Sequence, residues 1–390
     1  MKALYITNKP IYPKIDGGCV AMDNFLKCLL HQTIEVKHIC ISTNKHPFKA
    51  SSYPSELKID IEHHHIDTDV TPLRALKGLF QRGSYNINRF DSDDLRTKII
   101  KELESNSYNC VILESLFTTT YIDTIRNHSK AKLFVRTHNL EHKITVDLAT
   151  NASGIKRGYL KKLAKDLKTY ELEALNKVDG ILSISQDDTN QFKALGLKTS
   201  IKTIGVTINT PVIENNYTSE NIFHLGSMNW QPNIEAVERL VRIFPSIRKQ
   251  NSNTELRIAG SSSDNDLKNI PEEHIYYDGF VENIISFALN NGTLVSPILS
   301  GSGIRIKILE LMAIGTPVIT TTIGASGIDY TNGKELIVAD SDEELVAACN
   351  RLLSNQELRR EIGTNAIDYI RKNHNIESIS NDILEFIERT

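Results

Sequence analysis

Short apolar runs alternate with longer amphipathic stretches along most of the chain, and the alternation breaks down once, near its middle. Such a pattern builds βαβ units and parallel sheets, because a parallel connection needs a crossover long enough to hold a helix. In the first half, strands are expected at 2–7, 35–41, 59–66, 109–113, 132–136 and 180–184, and helices at 19–31, 91–105, 117–127 and 158–177. Around 205–220 (GVTINTPVIENNYTSE) Pro, Asn, Thr and Ser displace the pattern, as in a linker. A second series then fits strands at 221–226, 255–260, 275–278, 293–297, 317–320 and 336–339. Its helices fit at 233–250, 282–290, 304–314, 342–354 and 356–373, with a last one at 376–388. The expected fold class is α/β: two facing Rossmann-like domains, 1–205 and 206–373, with a ligand site in the cleft between them.

Composition removes several other classes. Lys plus Arg number 45 against 48 Asp plus Glu, a net charge of -3, so no whole-protein basic field attracts nucleic acid. The five cysteines (Cys19, Cys28, Cys40, Cys110, Cys349) are odd in number and form no CxxC pair, which argues against a disulfide framework or a zinc knuckle. MKALYITNKPIYPKIDGG lacks the pattern of a signal peptide, and no run of 18 uncharged apolar residues occurs. A reducing cytoplasm is the expected compartment.

The strongest local signal is SPILSGSGIRIKILELMAIGTPVI, 296–319. An apolar strand ends at Pro297, a loop carries Gly301, Ser302 and Gly303, and a helix is expected to begin near Ile304. Free backbone N–H groups at a helix start, with glycines that let a ligand approach, suit a phosphate. Arg305 and Lys307 add cations. Glu310, two turns in, offers an acceptor for a ribose diol. The alternative is a tight strand-to-helix turn with a solvated charged face. His138, in RTHNLEH, follows an apolar strand where a parallel sheet opens at its C-terminal edge; it suits either a sugar hydroxyl or a local backbone bond. Gly17 and Gly18 lie outside any GxGxxG fingerprint, and Asp16 beside them fits an N-cap.

These segments resemble glycosyltransferase family 4. The likeness rests on GSGIRIKILELMAIGTPVITT, then GASGI, NGKELIVAD and a helix carrying ELRREIG. FHLGSMNWQPNIEAVERL (223–240) and IYYDGFVEN (275–283) resemble a subgroup of bacterial polysaccharide pathways, as do YNINRF and RTHNLEH more weakly. The resemblance implies the GT-B fold, a nucleotide-sugar donor (UDP- or GDP-linked), retention of anomeric configuration and a metal-independent reaction with no cofactor. It implies that Glu310 binds the ribose, and that Ser302, Gly303 and Ile304, after Gly301, hold the diphosphate and sugar through backbone groups. Phe280 would present its backbone to the base, with Gly279 permitting the turn. Gly17 and Gly18 would form a flexible loop, and His138 would sit near the transferred sugar. The final helix, within 374–390, would pack back on the first domain.

Two departures stand out. Many members carry an acidic residue where Ser302 stands. Many also carry an Arg and a Lys in the loop that here reads Gly226-Ser227-Met228-Asn229-Trp230. Arg305 and Lys307 are expected to replace that cationic clamp. The acceptor would be a glycan or a lipid-linked precursor of a surface polysaccharide. Two alternatives stay open: another GT-B sugar-nucleotide enzyme of epimerase type, and a non-catalytic nucleotide-sugar-binding subunit.

Three further features have competing readings. EHHHIDTDV (62–70) looks like a metal cluster, but adjacent strand residues point to opposite faces, so no metal is expected there. In 154–175, Leu160, Leu163, Leu167 and Tyr170 form an apolar stripe, while Lys156, Arg157, Lys161, Lys162, Lys165 and Lys168 either face solvent or draw residues 154–168 to an anionic membrane. Trp230, the single tryptophan, either packs structurally or stacks on a ligand. Ser185 is expected to cap the helix that follows it.

Overall fold

The computed structural model describes residues 1–69, 84–150, 152–261, 273–301 and 303–390. The chain divides into two compact units, Met1–Thr207 with Ile376–Thr390, and Ile208–Asn375.

In the first unit the strands are β1 (Lys2–Thr7), β2 (Glu35–Ser42), β3 (Asp60–His65), β4 (Cys110–Glu114), β5 (Lys132–Thr137), β6 (Gly180–Ser183) and β7 (Ser200–Thr203). They pair in parallel in the order β3-β2-β1-β4-β5-β6-β7. The central strands are apolar on both faces because helices cover both: every residue of CVILE in β4 is buried. One face packs Leu4, Ile6, Val111, Leu113, Leu133 and Val135 against helices including Asp93–Ser105 and Gly154–Leu175. The other packs Tyr5, Ile112 and Phe134 against the helix Gly17–His31 and the C-terminal helix Ile376–Arg389. That last helix contributes Ile379, Ile383 and Ile387, spaced four apart on one face.

The second unit has β8 (Ile222–Leu225), β9 (Leu256–Ala259), β10 (Ile275–Gly279), β11 (Thr293–Ser296), β12 (Val318–Thr320) and β13 (Ile337–Val338), parallel in the order β10-β9-β8-β11-β12-β13. The helix Gln231–Arg248 buries Val237, Leu240, Phe244 and Ile247 on the sheet, a three- and four-residue spacing that gives one apolar face. Asp342–Leu353 starts in a capping box, with Ser341 accepting from the Glu344 N–H and the Glu344 carboxylate reaching back.

The α/β class and the expected strands are present, with ends shifted by a residue or two. The strand Ser200–Thr203 has no expected counterpart, and the helix expected at 158–177 spans Gly154–Leu175. Three further expectations change. The helix expected at 304–314 is shorter, Ile306–Met312, so Ile304 and Arg305 belong to the loop. The helix expected at 117–127 opens as a tighter 3-10 segment, Leu116–Tyr121, before Ile122–His128; the β-branched run Thr118-Thr119-Thr120 resists a regular α-turn. The segment 205–220 has no helix or strand, yet it is packed: Tyr217 is buried, and buried Arg359 donates to its carbonyl at 3.0 Å.

Candidate functional site

In a doubly wound parallel sheet, ligands bind beyond the C-terminal strand edge where the strand order reverses. In the second unit this point lies between β8 and β11. The loop after β8 carries Gly226 to Trp230; the loop after β11 carries Gly301, Gly303, Ile304 and Arg305. The fold therefore brings together two loops that are about seventy residues apart in the chain. Arg305 lies over the Trp230 ring, its guanidinium carbon 5.2 Å from the ring centroid, and its Nη2 is 3.4 Å from the Ser300 carbonyl. Gly301 has φ +104°, and a Cβ there would stand 3.0 Å from Arg305 Nη2 and 3.1 Å from the Trp230 ring. Only glycine lets the three meet. Burial lowers the Arg305 pKa from the ordinary guanidinium value.

The other expected donor residues fall on the same strand edge. Gly226 follows β8 and lies against Asn233, whose Nδ2 donates to the Ser227 carbonyl at 2.9 Å; a side chain at 226 would collide with that amide. Gly279 has φ +69° and ends β10 at a bulge, leaving Phe280 74% exposed. Trp230, Phe280, Leu299 and Ile323, four large apolar side chains exposed to solvent, all stand in loops just beyond strand ends. That edge is where a parallel sheet of this order takes its ligands. Lys307 and Glu310 are exposed on the short helix Ile306–Met312. Ser302 lies outside the described residues.

In the first unit the strand order reverses between β1 and β4. Gly17 and Gly18 are not a loop: they are the first two residues of the helix Gly17–His31, which Asp16 caps by accepting from the Cys19 N–H at 2.9 Å. Lys9 pairs with Asp16 and sits 3.0 Å from where a Gly18 Cβ would lie. His138 follows β5, its side chain 17% exposed. Its Nε2 meets Glu114 Oε1, and Arg136 Nη1 donates to the same oxygen at 2.6 Å. Tyr5 donates to Glu114 Oε2. Glu114 is fully buried; burial alone would raise its pKa, but Arg136, His138 and the Tyr5 hydrogen bond lower it to about 2. Residue-by-residue reading missed Glu114. Its signal was a lone acid ending the apolar run CVILE, level with Arg136 in the neighbouring strand.

Just beyond, the buried Glu171 carboxylate accepts from the Glu141 N–H at 3.0 Å and from His142 Nδ1 at 2.5 Å. It holds the start of the helix Glu141–Thr150, an element the periodicity did not reveal. Burial, then the Glu171 charge, push the Glu141 carboxyl up to about 7. The triple-histidine segment behaves as a strand: His63 stacks on Phe48 at 4.3 Å, while His64 Nε2 lies 3.1 Å from Ser92 Oγ. Among the described residues no cluster of three or more His, Cys, Asp or Glu is arranged to hold a metal. Ser185 caps its helix through the Asp188 N–H.

Residues 219–355 match the family model described as glycosyl transferases group 1. A Klebsiella pneumoniae protein described as an uncharacterized 44.6 kDa protein in the cps region is 23% identical over 301 residues, 73% of this chain and 76% of that protein. Sucrose-phosphate synthase from Thermosynechococcus elongatus superposes with a TM-score of 0.73 at 12% identity, covering 100% of this chain and 99% of that one. TarM, from S. aureus, gives 0.72 at 11% identity, covering 99% of each chain. The Anabaena protein HepE in complex with UDP and glucose gives 0.68 at 12% identity, covering 100% of both. At such identities the likeness is one of fold. The matched fold and the family model together support a glycosyltransferase of the GT-B class. The family model itself is matched by residues 219–355 of the second unit.

Proposed function

We propose that this chain is a retaining glycosyltransferase that moves a hexose from a UDP- or GDP-linked donor to a glycan or lipid-linked acceptor of surface polysaccharide synthesis. The observation that carries the proposal is the Gly301–Arg305–Trp230 cluster at the reversal point of the unit that matches the family model. Supporting it, HepE is described in complex with UDP-glucose, and WaaB, at 15% identity, as a lipopolysaccharide outer core galactosyltransferase.

In this reading, backbone groups of 302–304 and the Arg305 guanidinium receive the diphosphate, with Lys307 as a second cation. Glu310 accepts from the ribose hydroxyls, and the backbone at Phe280 receives the base. The bond from the sugar C1 to the diphosphate oxygen breaks, and the acceptor oxygen bonds to C1 on the same face. The acceptor's proton passes to the departing diphosphate oxygen, whose charge Arg305 stabilises. The His138 loop steadies the sugar as positive charge develops on it. The cation set, with no resident metal or cofactor, carries the charge of the leaving group.

The protein acts at the cytoplasmic side in this reading, and Arg157, Lys161, Lys165 and Lys168, exposed along one stripe of Gly154–Leu175, draw it to anionic lipid. No helix among the described residues is long and apolar enough to cross a membrane.

A thermal-shift panel of UDP, GDP, ADP and their sugars tests the proposal. One nucleotide at 100 times its dissociation constant should add about 2.7 kcal/mol of stability. Absence of a shift with every sugar nucleotide would contradict it.

A further inference from the structure

We infer that Glu114 is the positioning residue of His138: it fixes the imidazole in the tautomer that carries its proton on Nε2, so that Nδ1 is presented as a hydrogen-bond acceptor for a sugar hydroxyl. This rests on the reading of His138 given above and adds the partner and the polarity of its contact.

The geometry is a short chain of groups on three neighbouring strands. Glu114 ends β4, Arg136 stands level with it in β5, and Tyr5 reaches it from β1. Glu114 and Arg136 are 0% and 1% exposed, and both carboxylate oxygens are occupied. Burying an ion pair seldom gains stability over apolar side chains of similar volume. The retained pair therefore asks for another purpose. His138 is the one partner of Glu114 that keeps contact with solvent, 17% of its side chain being accessible. An ionised carboxylate can only accept, so the nitrogen that meets it must donate. Nε2 carries the proton, and Nδ1 holds the lone pair. Nδ1 makes no hydrogen bond among the described residues.

Arg136 does not reverse the selection. Its Nη1 lies 3.1 Å from the same Nε2 but donates to Oε1 at 2.6 Å; with the proton on Nδ1 instead, the Nε2 lone pair would face that carboxylate oxygen and the shorter contact would be lost. Tyr5 holds the second oxygen and stacks on His38 at 5.6 Å; His38 Nε2 lies 2.9 Å from Thr7 Oγ1, which in turn donates to the Lys9 carbonyl. The carboxylate is thus fixed from both sides, and it fixes the imidazole.

The full-length protein with 15N-labelled histidine provides the test. The His138 ring signals are assigned by their loss in His138→Gln. The wild type should show the Nε2–H tautomer. Glu114→Gln retains an acceptor oxygen and should keep that tautomer, with turnover largely rescued. Glu114→Ala should yield mixed tautomers and lower kcat about a hundredfold while donor KM stays unchanged. Because Glu114→Ala strands a buried arginine, the double variant Glu114→Leu/Arg136→Met, which removes the whole pair, serves if it fails to fold. An Nδ1–H tautomer in the wild type, or unchanged tautomer and turnover in the double variant, would overturn the inference. The tautomer is read without donor or acceptor, so a protein with the expected ring signals but no transferase activity would refute the proposed function and leave the positioning intact.

Discussion

Gly301 decides where Arg305 can lie. With φ +104° and two side chains about 3 Å from its missing Cβ, the position tolerates no substituent. Gly301→Ala should weaken nucleotide binding, read by calorimetry, while leaving overall stability within about 2 kcal/mol, the usual cost of a strained residue. Arg305→Lys should fail to rescue Arg305→Ala, because an ammonium lacks the planar face that stacks on Trp230; both should lower kcat/KM about a hundredfold in a donor assay. Glu141 gives a test in pH. Folding raises its carboxyl to about 7 through burial and the Glu171 charge, against about 4.3 in an unfolded chain. Its contribution is full below the unfolded value and is lost as pH rises through 7. Glu141→Gln should therefore raise the melting temperature at pH 8 and change it little at pH 4. His38 and His224 act in the opposite sense: burial lowers them to about 3 and about 4, so stability falls as pH drops below about 6.5. At this scale the sequence exposed the polar loop residues but hid Glu114 and the Arg305–Trp230 contact. Both depend on which strands become neighbours, and no local pattern encodes that.

Among the elements, strands were the easiest to foresee, because a strand covered on both faces is a bare apolar run such as CVILE. The helix Glu141–Thr150 escaped because EHKITVDLAT has weak periodicity and a half-buried start held by Glu171, which is distant in sequence. The helix Ile306–Met312 began later than its glycines suggested, since two positive-φ residues, Gly301 and Gly303, keep the chain out of helix longer. The C-terminal helix makes a separable prediction. Ile383 is 1% exposed in the first unit's core, so Ile383→Ala should cost about 2–5 kcal/mol by urea denaturation. Nucleotide affinity, which the proposed function assigns to residues 208–375, should not change.

For the molecule as a whole, two parallel sheets of the same strand order place their reversal points beside chemically different sets: an apolar and cationic edge at Trp230, Phe280 and Arg305, and a buried acid–base set at Glu114, Arg136 and His138. The fold class was legible in the doubled alternation of strands and helices; the partnership of loops at each reversal point was not. The central claim is that the first of these edges receives a nucleoside diphosphate. Trp230, the only tryptophan, reports on it directly. Titrating the full-length protein with UDP and with GDP while following tryptophan emission should give a saturable change for one of them, absent with the nucleoside alone and abolished in Arg305→Ala. Emission that stays flat with both diphosphates, or a change that survives Arg305→Ala undiminished, would contradict it.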